Sequence, residues 1–60
     1  MKNNSGYIVQ TKSGKRGRTY HSKGTINGKV PVYLLDDSEK PSETAMLCDP
    51  KTLKIDGFID

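Results

Sequence analysis

Residues 26–35 read INGKVPVYLL, and this stretch indicates the fold class. Asn27-Gly28 predicts a two-residue hairpin turn, because both central positions of a type I′ turn need positive φ. The apolar run after the turn fits a strand, in which successive side chains point to opposite faces. One face would carry Val30, Val32 and Leu34, and the other would carry Pro31, Tyr33 and Leu35. We expect the valine face to fill the core and the tyrosine face to point outward.

Strand signals also dominate the rest of the chain, and no segment shows sustained helical periodicity. The candidate strands are residues 6–11 (GYIVQT), 17–21 (GRTYH), 44–49 (TAMLCD) and 54–59 (KIDGFI). Pro31 cannot donate a ladder hydrogen bond, so its strand should lie at an edge or contain a bulge there. Asp49 and Pro50 predict the capped start of a single 3₁₀ turn before the last strand. Gly57 is a candidate β-bulge, and the polar residues 36–43 should form an exposed loop.

Five short strands with a one-turn helix before the last resemble an SH3-like small β-barrel. The predicted fold class is therefore all-β: a single five-stranded SH3-like small barrel with one 3₁₀ turn before the last strand. The resemblance extends over nearly the whole chain, through the order and spacing of the elements. The basic turn KSGKRGR at residues 12–18 also resembles the loop of KOW-type barrels, which implies contact with RNA or nucleic-acid machinery. An OB-fold is another five-stranded possibility.

The composition indicates one small domain with a thin core. The chain has 60 residues, of which 32% are hydrophobic, so its stability should be marginal. We expect a disordered tail over residues 1–5, a single domain over residues 6–60, no leader segment and no membrane helix. One cysteine, Cys48, cannot form an internal disulfide, and one His with one Cys cannot build a structural zinc site. We therefore expect no metal or cofactor, and a reducing, cytoplasmic setting.

Charge is distributed unevenly along the chain, although the net charge is only +3. Residues 1–35 carry seven basic residues and no acid, whereas residues 36–60 carry all seven acids and three lysines. The two halves therefore have charges of +7 and −4. This asymmetry predicts a two-faced molecule whose basic half contacts nucleic acid or another anionic surface. The acidic half would be a solvated face, a docking face for a basic partner, or an internal counter-charge.

The candidate nucleic-acid interface lies in residues 11–24, which read TKSGKRGRTYHSKG. Lysine and arginine release counterions when they neutralise phosphates, which drives binding of DNA or RNA with low sequence specificity. Gly14 and Gly17 would let the backbone approach a phosphate, and successive N–H groups there would form an anion nest. The expected contacts are Lys12, Lys15, Arg16 and Arg18, with Lys23 and Lys29 extending the stripe. The alternative is a solvated hairpin whose charges protect a small sheet from aggregation.

Three tyrosines fall on the first three predicted strands: Tyr7, Tyr20 and Tyr33. Alternation puts Tyr20 beside Arg18, and outward aromatics among basic residues are typical of surfaces that stack unpaired bases. Tyr20 is therefore the best stacking candidate. The alternative is that the tyrosines complete a thin core and keep their hydroxyls in water.

Catalytic patterns are weak, so we expect a binding protein with no catalytic residues rather than an enzyme. His21 would need a nucleophile and an orienting acid, and all the acids lie in the other half of the chain. Neither SGKRGRT nor GTINGKV satisfies the phosphate-loop pattern. Residues 36–39 lack the ligand spacing of an EF-hand, and Cys48 fits a small core residue.

A second hypothesis is a protein-interaction module, such as an inhibitor or adaptor of the kind found on mobile elements and phages. Its docking surface would be a charged face or the exposed strip of Pro31, Tyr33 and Leu35, since central aromatics carry binding energy. Proline-peptide binding of the SH3 signalling type is disfavoured, because Trp is absent. The partner would then be an unidentified protein, and the chain itself would be a monomer or a weak homodimer.

Overall fold

A computed structural model of the chain describes residues 5–59, which form a five-stranded antiparallel sheet. The strands are β1 (Gly6–Gln10), β2 (Arg16–Arg18), β3 (Val30–Leu34), β4 (Met46–Cys48) and β5 (Lys54–Ile59). The predicted all-β class is confirmed. Of the expected N-terminal tail, residues 1–4 lie outside the described residues. Ser5 is half-buried, and its carbonyl oxygen accepts a hydrogen bond from the His21 N–H at 2.8 Å.

The order of strands across the sheet is β4-β3-β2-β1-β5, so the first four strands follow one another and the last returns to β1. This order is compatible with an SH3-like fold, but the sheet does not close into a barrel. β4 and β5 stand at opposite edges, and no ladder joins them within the described part of the chain. The expected closure is therefore wrong. A 3₁₀ turn over Pro50–Thr52, rather than a tight hairpin, connects β4 to β5, and β5 pairs with β1.

The Asn27-Gly28 turn has the predicted geometry. The two residues have φ angles of 53° and 77°, and both are positive as a type I′ turn requires. Ile26 and Lys29 flank the turn as a bridge pair: the Ile26 N–H donates to the Lys29 oxygen at 2.8 Å, and the Lys29 N–H donates back at 2.9 Å. The regular strand begins only at Val30.

The second strand ends earlier than the sequence predicts. A strand was expected over residues 17–21, whereas β2 stops at Arg18 and a first 3₁₀ turn forms over His21–Lys23. Thr19 still pairs with β1, because its N–H donates to the Tyr7 carbonyl oxygen at 2.9 Å. The His21 N–H donates to the Ser5 carbonyl oxygen at 2.8 Å, and the Lys23 N–H donates to the Tyr20 carbonyl oxygen within the turn. The expectation of a strand through residue 21 is therefore wrong.

A second 3₁₀ turn, Pro50–Thr52, forms where the sequence predicts it. The Asp49 carboxylate accepts a hydrogen bond from the Lys51 N–H at 3.0 Å. Pro50 occupies the first position of the turn, where its missing N–H costs nothing. This turn connects β4 to β5.

A β-bulge interrupts the pairing of β5 with β1, beside the glycine that predicted one. Ile8 pairs with Gly57 and Val9 pairs with Ile55, so Asp56 is an extra residue between the two pairs. The bulge therefore lies at Asp56, next to Gly57. One extra residue shifts the alternation of side chains, and it decides which side chains of β5 face the core.

The core is thin, and it centres on the valine face of β3, as expected. The large side chains that are almost completely buried among residues 5–59 are Val9 and Val32, at 1% and 0% exposure. Gly17 makes room for this packing, because a Cβ there would lie 2.5 Å from Val32 Cγ1. β2 pairs with β3 only at Tyr33 and Leu34. Pro31 therefore has a neighbouring strand on the β4 side alone, as its missing N–H predicts.

Candidate nucleic-acid interface

The tip of the first hairpin is exposed and carries two of the predicted phosphate contacts, Lys12 and Lys15. The loop is closed by its own hydrogen bonds. The Gly14 N–H donates to the Thr11 carbonyl oxygen at 2.9 Å, and the Lys15 N–H donates to Thr11 Oγ1 at 3.2 Å. These N–H groups are engaged within the loop, and Gly17 is buried in the sheet, so the expected anion nest does not form. Any phosphate contact at this loop falls to the lysine side chains.

The sheet register places basic side chains from two distant parts of the chain on one face. Directly opposed residues of an antiparallel pair project to the same side of the sheet. Gln10 pairs with Arg16 on β2 and with Lys54 on β5. These three side chains therefore point away from the buried Val9. Lys54 belongs to the acidic half of the sequence, and no local pattern marks it as part of a basic surface.

A second row on the same side of the sheet joins Arg18 to Tyr33, its direct partner on β3. Arg18 Cζ lies 3.9 Å from the centroid of the Tyr20 ring, which confirms that Tyr20 stands beside Arg18. The Tyr20 and Tyr33 rings meet edge to face, with centroids 5.1 Å apart. The guanidinium also donates to the Thr19 carbonyl oxygen, at 3.2 Å from Nη2 and 3.3 Å from Nε. We call the surface formed by Gln10, Arg16, Arg18, Tyr33 and Lys54 the outer face.

The contact with Arg18 limits how the Tyr20 ring can stack on a base. Arg18 covers one face of the Tyr20 ring, so a base cannot stack there while the contact persists. The same contact holds the ring in a fixed orientation, because Tyr20 follows β2 and is not itself part of a ladder. Tyr20 is therefore a positioned ring at the border of the outer face rather than an open platform on it.

One acid from the loop 36–43 reaches the outer face. Arg16 Nη1 donates to Glu39 Oε2 at 2.6 Å, and the two side chains remain 49% and 61% exposed. Glu39 sits in a turn with φ of 64°. The Asp36 carboxylate stabilises this turn by accepting from the Ser38 and Lys40 N–H groups at 2.8 and 2.9 Å. At this point the acidic half acts as an internal counter-charge.

The other two predicted contacts, Lys23 and Lys29, occupy different places. The Lys23 N–H donates to the Tyr20 carbonyl oxygen at 3.0 Å, so Lys23 stays in the turn next to Tyr20. Lys29 follows the hairpin turn at the start of β3. At about 3.3 Å per residue, it lies roughly 13 Å along the strand from Tyr33. The predicted continuous stripe therefore does not extend to Lys29.

The core-facing side of the sheet opens as an apolar cleft with a volume of about 270 Å³. Its lining includes Val9 and Ile55, which are direct partners on β1 and β5. The two 3₁₀ turns contribute His21 and Pro50, and Val30 of β3 completes this part of the wall. No signal in the sequence predicts this cleft, because its lining comes from residues spread from position 7 to position 55.

Aromatic rings form one side of the cleft. Tyr7, Tyr20 and His21 all line it. The Tyr7 ring meets the His21 ring edge to face, with centroids 4.9 Å apart, and meets the Phe58 ring at 5.3 Å. Phe58 is 74% exposed, although its pairing with Tyr7 places it on the core-facing side. Tyr20 also touches Arg18, so it links the cleft with the outer face.

The strip predicted for protein docking is not an exposed strip. Pro31 is buried, and Tyr33 and Leu35 are half-buried. The exposure expected for Pro31 is wrong, because β4 pairs directly across it at Leu47. Large exposed apolar side chains lie on the two edge strands instead. They are Met46 and Leu47 on β4, and Ile55 and Phe58 on β5.

Other chemistry is limited in the part of the chain that the structure describes. Residues 5–59 hold no group of three or more His, Cys, Asp or Glu side chains suited to a metal ion. Cys48 is a half-buried thiol, with its Sγ 3.7 Å from the Met46 carbonyl oxygen. Over the same residues, neither 3₁₀ turn approaches the length or the apolar character of a membrane-crossing helix.

No protein-family model, curated protein or solved structure matches this chain. The likeness to KOW-type loops therefore rests on the residues of the first hairpin alone. The outer face and the cleft are the two surfaces of this chain that bear on its function.

Proposed function

We propose that this protein binds nucleic acid through phosphate contacts on the outer face, with low sequence specificity. The observation that carries the proposal is the strand register, which puts Arg16 and Lys54 on the same side of the sheet as Tyr33. The hairpin tip extends this surface with Lys12 and Lys15. Each phosphate that a cation neutralises releases counterions, so affinity follows the number of cations rather than the base sequence.

The basic residues divide into two roles in this proposal. The exposed lysines of the outer face and the hairpin tip carry the phosphate contacts: Lys12, Lys15 and Lys54. Arg16 lies on the same face and is paired with Glu39. Arg18 is a positioning residue, because it lies over the Tyr20 ring at 3.9 Å and donates to the Thr19 carbonyl. Low specificity is supported by the secondary structure, since the described residues hold no helix longer than three residues that could enter a major groove.

The open arrangement of the sheet also supports the proposal. We propose an open SH3-like arrangement, supported by the strand order and by the 3₁₀ turn before β5. Because the sheet does not close into a barrel, both of its sides are accessible. One side carries the cations and the other carries the apolar cleft, so a bound strand can meet both at the border marked by Tyr20.

A salt titration tests the proposal. The ligand is a labelled single strand of about 12 nucleotides, followed by fluorescence anisotropy. Because Arg16 is paired with Glu39, three contacts remain, from Lys12, Lys15 and Lys54. They predict that the logarithm of the binding constant falls against the logarithm of salt concentration with a slope near −2, at about 0.7 per contact. Failure to bind generic DNA and RNA even at low ionic strength would refute the proposal.

Two charge reversals of the same size show whether the outer face is the site. Lys54→Glu changes a cation on the outer face, and Lys29→Glu changes one at the hairpin turn far from it. We expect K54E to weaken binding severalfold and to make the slope shallower by about 0.7, because one phosphate contact is lost. K29E should stay close to the wild-type slope. Equal losses in the two variants would mean that net charge alone drives binding.

The second candidate function is a protein-interaction module, and the exposed apolar side chains of the edge strands favour it. Ile55 and Phe58 are 57% and 74% exposed, and β5 offers an edge for strand addition. The same titration separates the two functions. The second function is supported if the protein does not bind nucleic acid at low salt but binds a partner protein through a surface that the substitution F58S disrupts.

A further inference from the structure

The cleft on the core-facing side has the size of a single ring system. Its volume of about 270 Å³ falls just below the range of about 300 to 1,000 Å³ that is typical of ligand pockets. Val9, Val30 and Leu53 give it apolar walls, which favour a flat group of low polarity. One inserted group of a larger molecule therefore fits the cleft better than an independent ligand of drug size.

The aromatic rings narrow the choice of that group. Proteins that bind single strands stack unpaired bases on tyrosine and histidine rings, and three such rings line this cleft. Tyr7 and His21 fix each other edge to face at 4.9 Å, so their orientation is set before a ligand arrives. The His21 imidazole also offers a hydrogen-bonding nitrogen to the edge of a base.

The charges around the cleft complement a ligand that has one apolar group flanked by two anionic groups. Each 3₁₀ turn that contributes to the lining carries an exposed lysine, Lys23 in the first and Lys51 in the second. Asp49, the acid adjoining the second turn, is engaged as its cap, with the carboxylate accepting from the Lys51 N–H at 3.0 Å. A nucleotide within a strand has this distribution, since its base lies between two phosphates.

Tyr20 joins the cleft to the outer face, because it lines the first and touches Arg18 on the second. A strand whose phosphates follow the outer face therefore passes the mouth of the cleft. We infer that the cleft takes one unpaired base of a single-stranded nucleic acid, an inference that rests on the proposed function. A duplex is a poor ligand for this site, because its bases are paired and stacked and would have to be flipped out.

The test compares two ligands on the wild-type protein at one salt concentration. One is an oligothymidylate single strand, and the other is an abasic strand with the same number of phosphates. We expect the strand with bases to bind about tenfold more tightly, which is the effect of one stacked base. Equal affinities would overturn the inference and leave the proposed function standing. If neither strand binds, the proposed function itself fails.

A pair of phenylalanine substitutions tests whether the difference in affinity between the two strands arises in the cleft. Thr25 is an exposed residue that lines the cleft, and Ser22 is an exposed residue of the adjoining turn that does not. Thr25→Phe should fill the cleft and lower the affinity for the base-bearing strand to that for the abasic strand. Ser22→Phe adds the same ring outside the cleft and should keep the tenfold difference.

Two controls keep this result interpretable. Circular dichroism and thermal melting check that T25F and S22F are folded, and the comparison of strands on the wild-type protein depends on neither variant. Sedimentation of the free protein at several concentrations tests whether a second copy of the chain occupies the cleft. A wild-type dimer that T25F dissociates would overturn the inference.

Discussion

Gly6 is the position where one added methyl group should damage this fold most. The residue is buried in β1, and a Cβ there would lie 1.9 Å from the Thr19 carbonyl oxygen and 2.7 Å from the Thr19 carbonyl carbon. Both are backbone atoms, so no side-chain rotation relieves the clash. Gly6→Ala must therefore push β1 away from the segment that follows β2.

The separation would weaken hydrogen bonds as well as packing. The Thr19 N–H donates to the Tyr7 carbonyl oxygen at 2.9 Å, and the Tyr7 N–H donates to Thr19 Oγ1 at 3.1 Å. Overpacking costs about 1–3 kcal/mol, and a weakened hydrogen bond adds about 1 kcal/mol. In a domain of this size, each kcal/mol lowers the Tm by about 4–8 °C. Together these costs reach about 2–4 kcal/mol, so we expect Gly6→Ala to lower the Tm by about 8–32 °C.

Thermal and urea unfolding, followed by circular dichroism, measure this effect against a matched control. Gly57 also lies in a strand, but a Cβ there would meet nothing within 4 Å, and its φ is not positive. Gly57→Ala should be neutral, or stabilise the protein by about 0.4–1 kcal/mol by restricting the unfolded chain. If Gly6→Ala proves as stable as Gly57→Ala, the close packing of Thr19 on β1 is refuted.

Two further substitutions test a turn and an ion pair. Asn27→Ala should lower the free energy of unfolding by about 1 kcal/mol, because a φ of 53° is costly for alanine. Asn27→Gly should change the free energy of unfolding by less than about 0.5 kcal/mol. Urea titration of both variants measures the difference, and equal stabilities would refute the turn geometry. Glu39→Gln should change stability by less than about 1 kcal/mol, since its pair with Arg16 is exposed. The same variant should steepen the salt dependence of nucleic-acid binding by up to about 0.7, because Arg16 becomes available to a phosphate. An unchanged slope would place Arg16 outside the interface.

The features that depend on neighbouring residues could be predicted from the sequence. The turn at Asn27-Gly28 follows from the φ preferences of two residues. The cap at Asp49 follows from a side chain that reaches an N–H two positions away. The inward direction of Val32 follows from alternation along β3. Each of these signals is contained within a few residues, so no knowledge of the fold was needed to find it.

Features that depend on distant residues could not be predicted. The Arg16–Glu39 pair joins side chains 23 positions apart, and only the return of loop 36–43 beside β2 brings them together. The strand expected over residues 17–21 gives way to a 3₁₀ turn that begins at His21, whose N–H donates to the distant Ser5 carbonyl oxygen. The cleft escapes prediction for the same reason, since its walls belong to separate elements.

The sequence predicts the all-β class, the Asn27-Gly28 turn, the 3₁₀ turn capped by Asp49 and the basic first hairpin. Which side chains share a surface depends on the tertiary structure, and the bulge at Asp56 is the clearest case. If β5 continued past Gly57 without the extra residue, Ile55 would oppose Gln10 on the outer face and Lys54 would point toward the core. The bulge reverses that arrangement, because shifting a strand by one residue moves each side chain to the other face of the sheet. Lys54 therefore joins Arg16 on the outer face, and Ile55 lines the cleft.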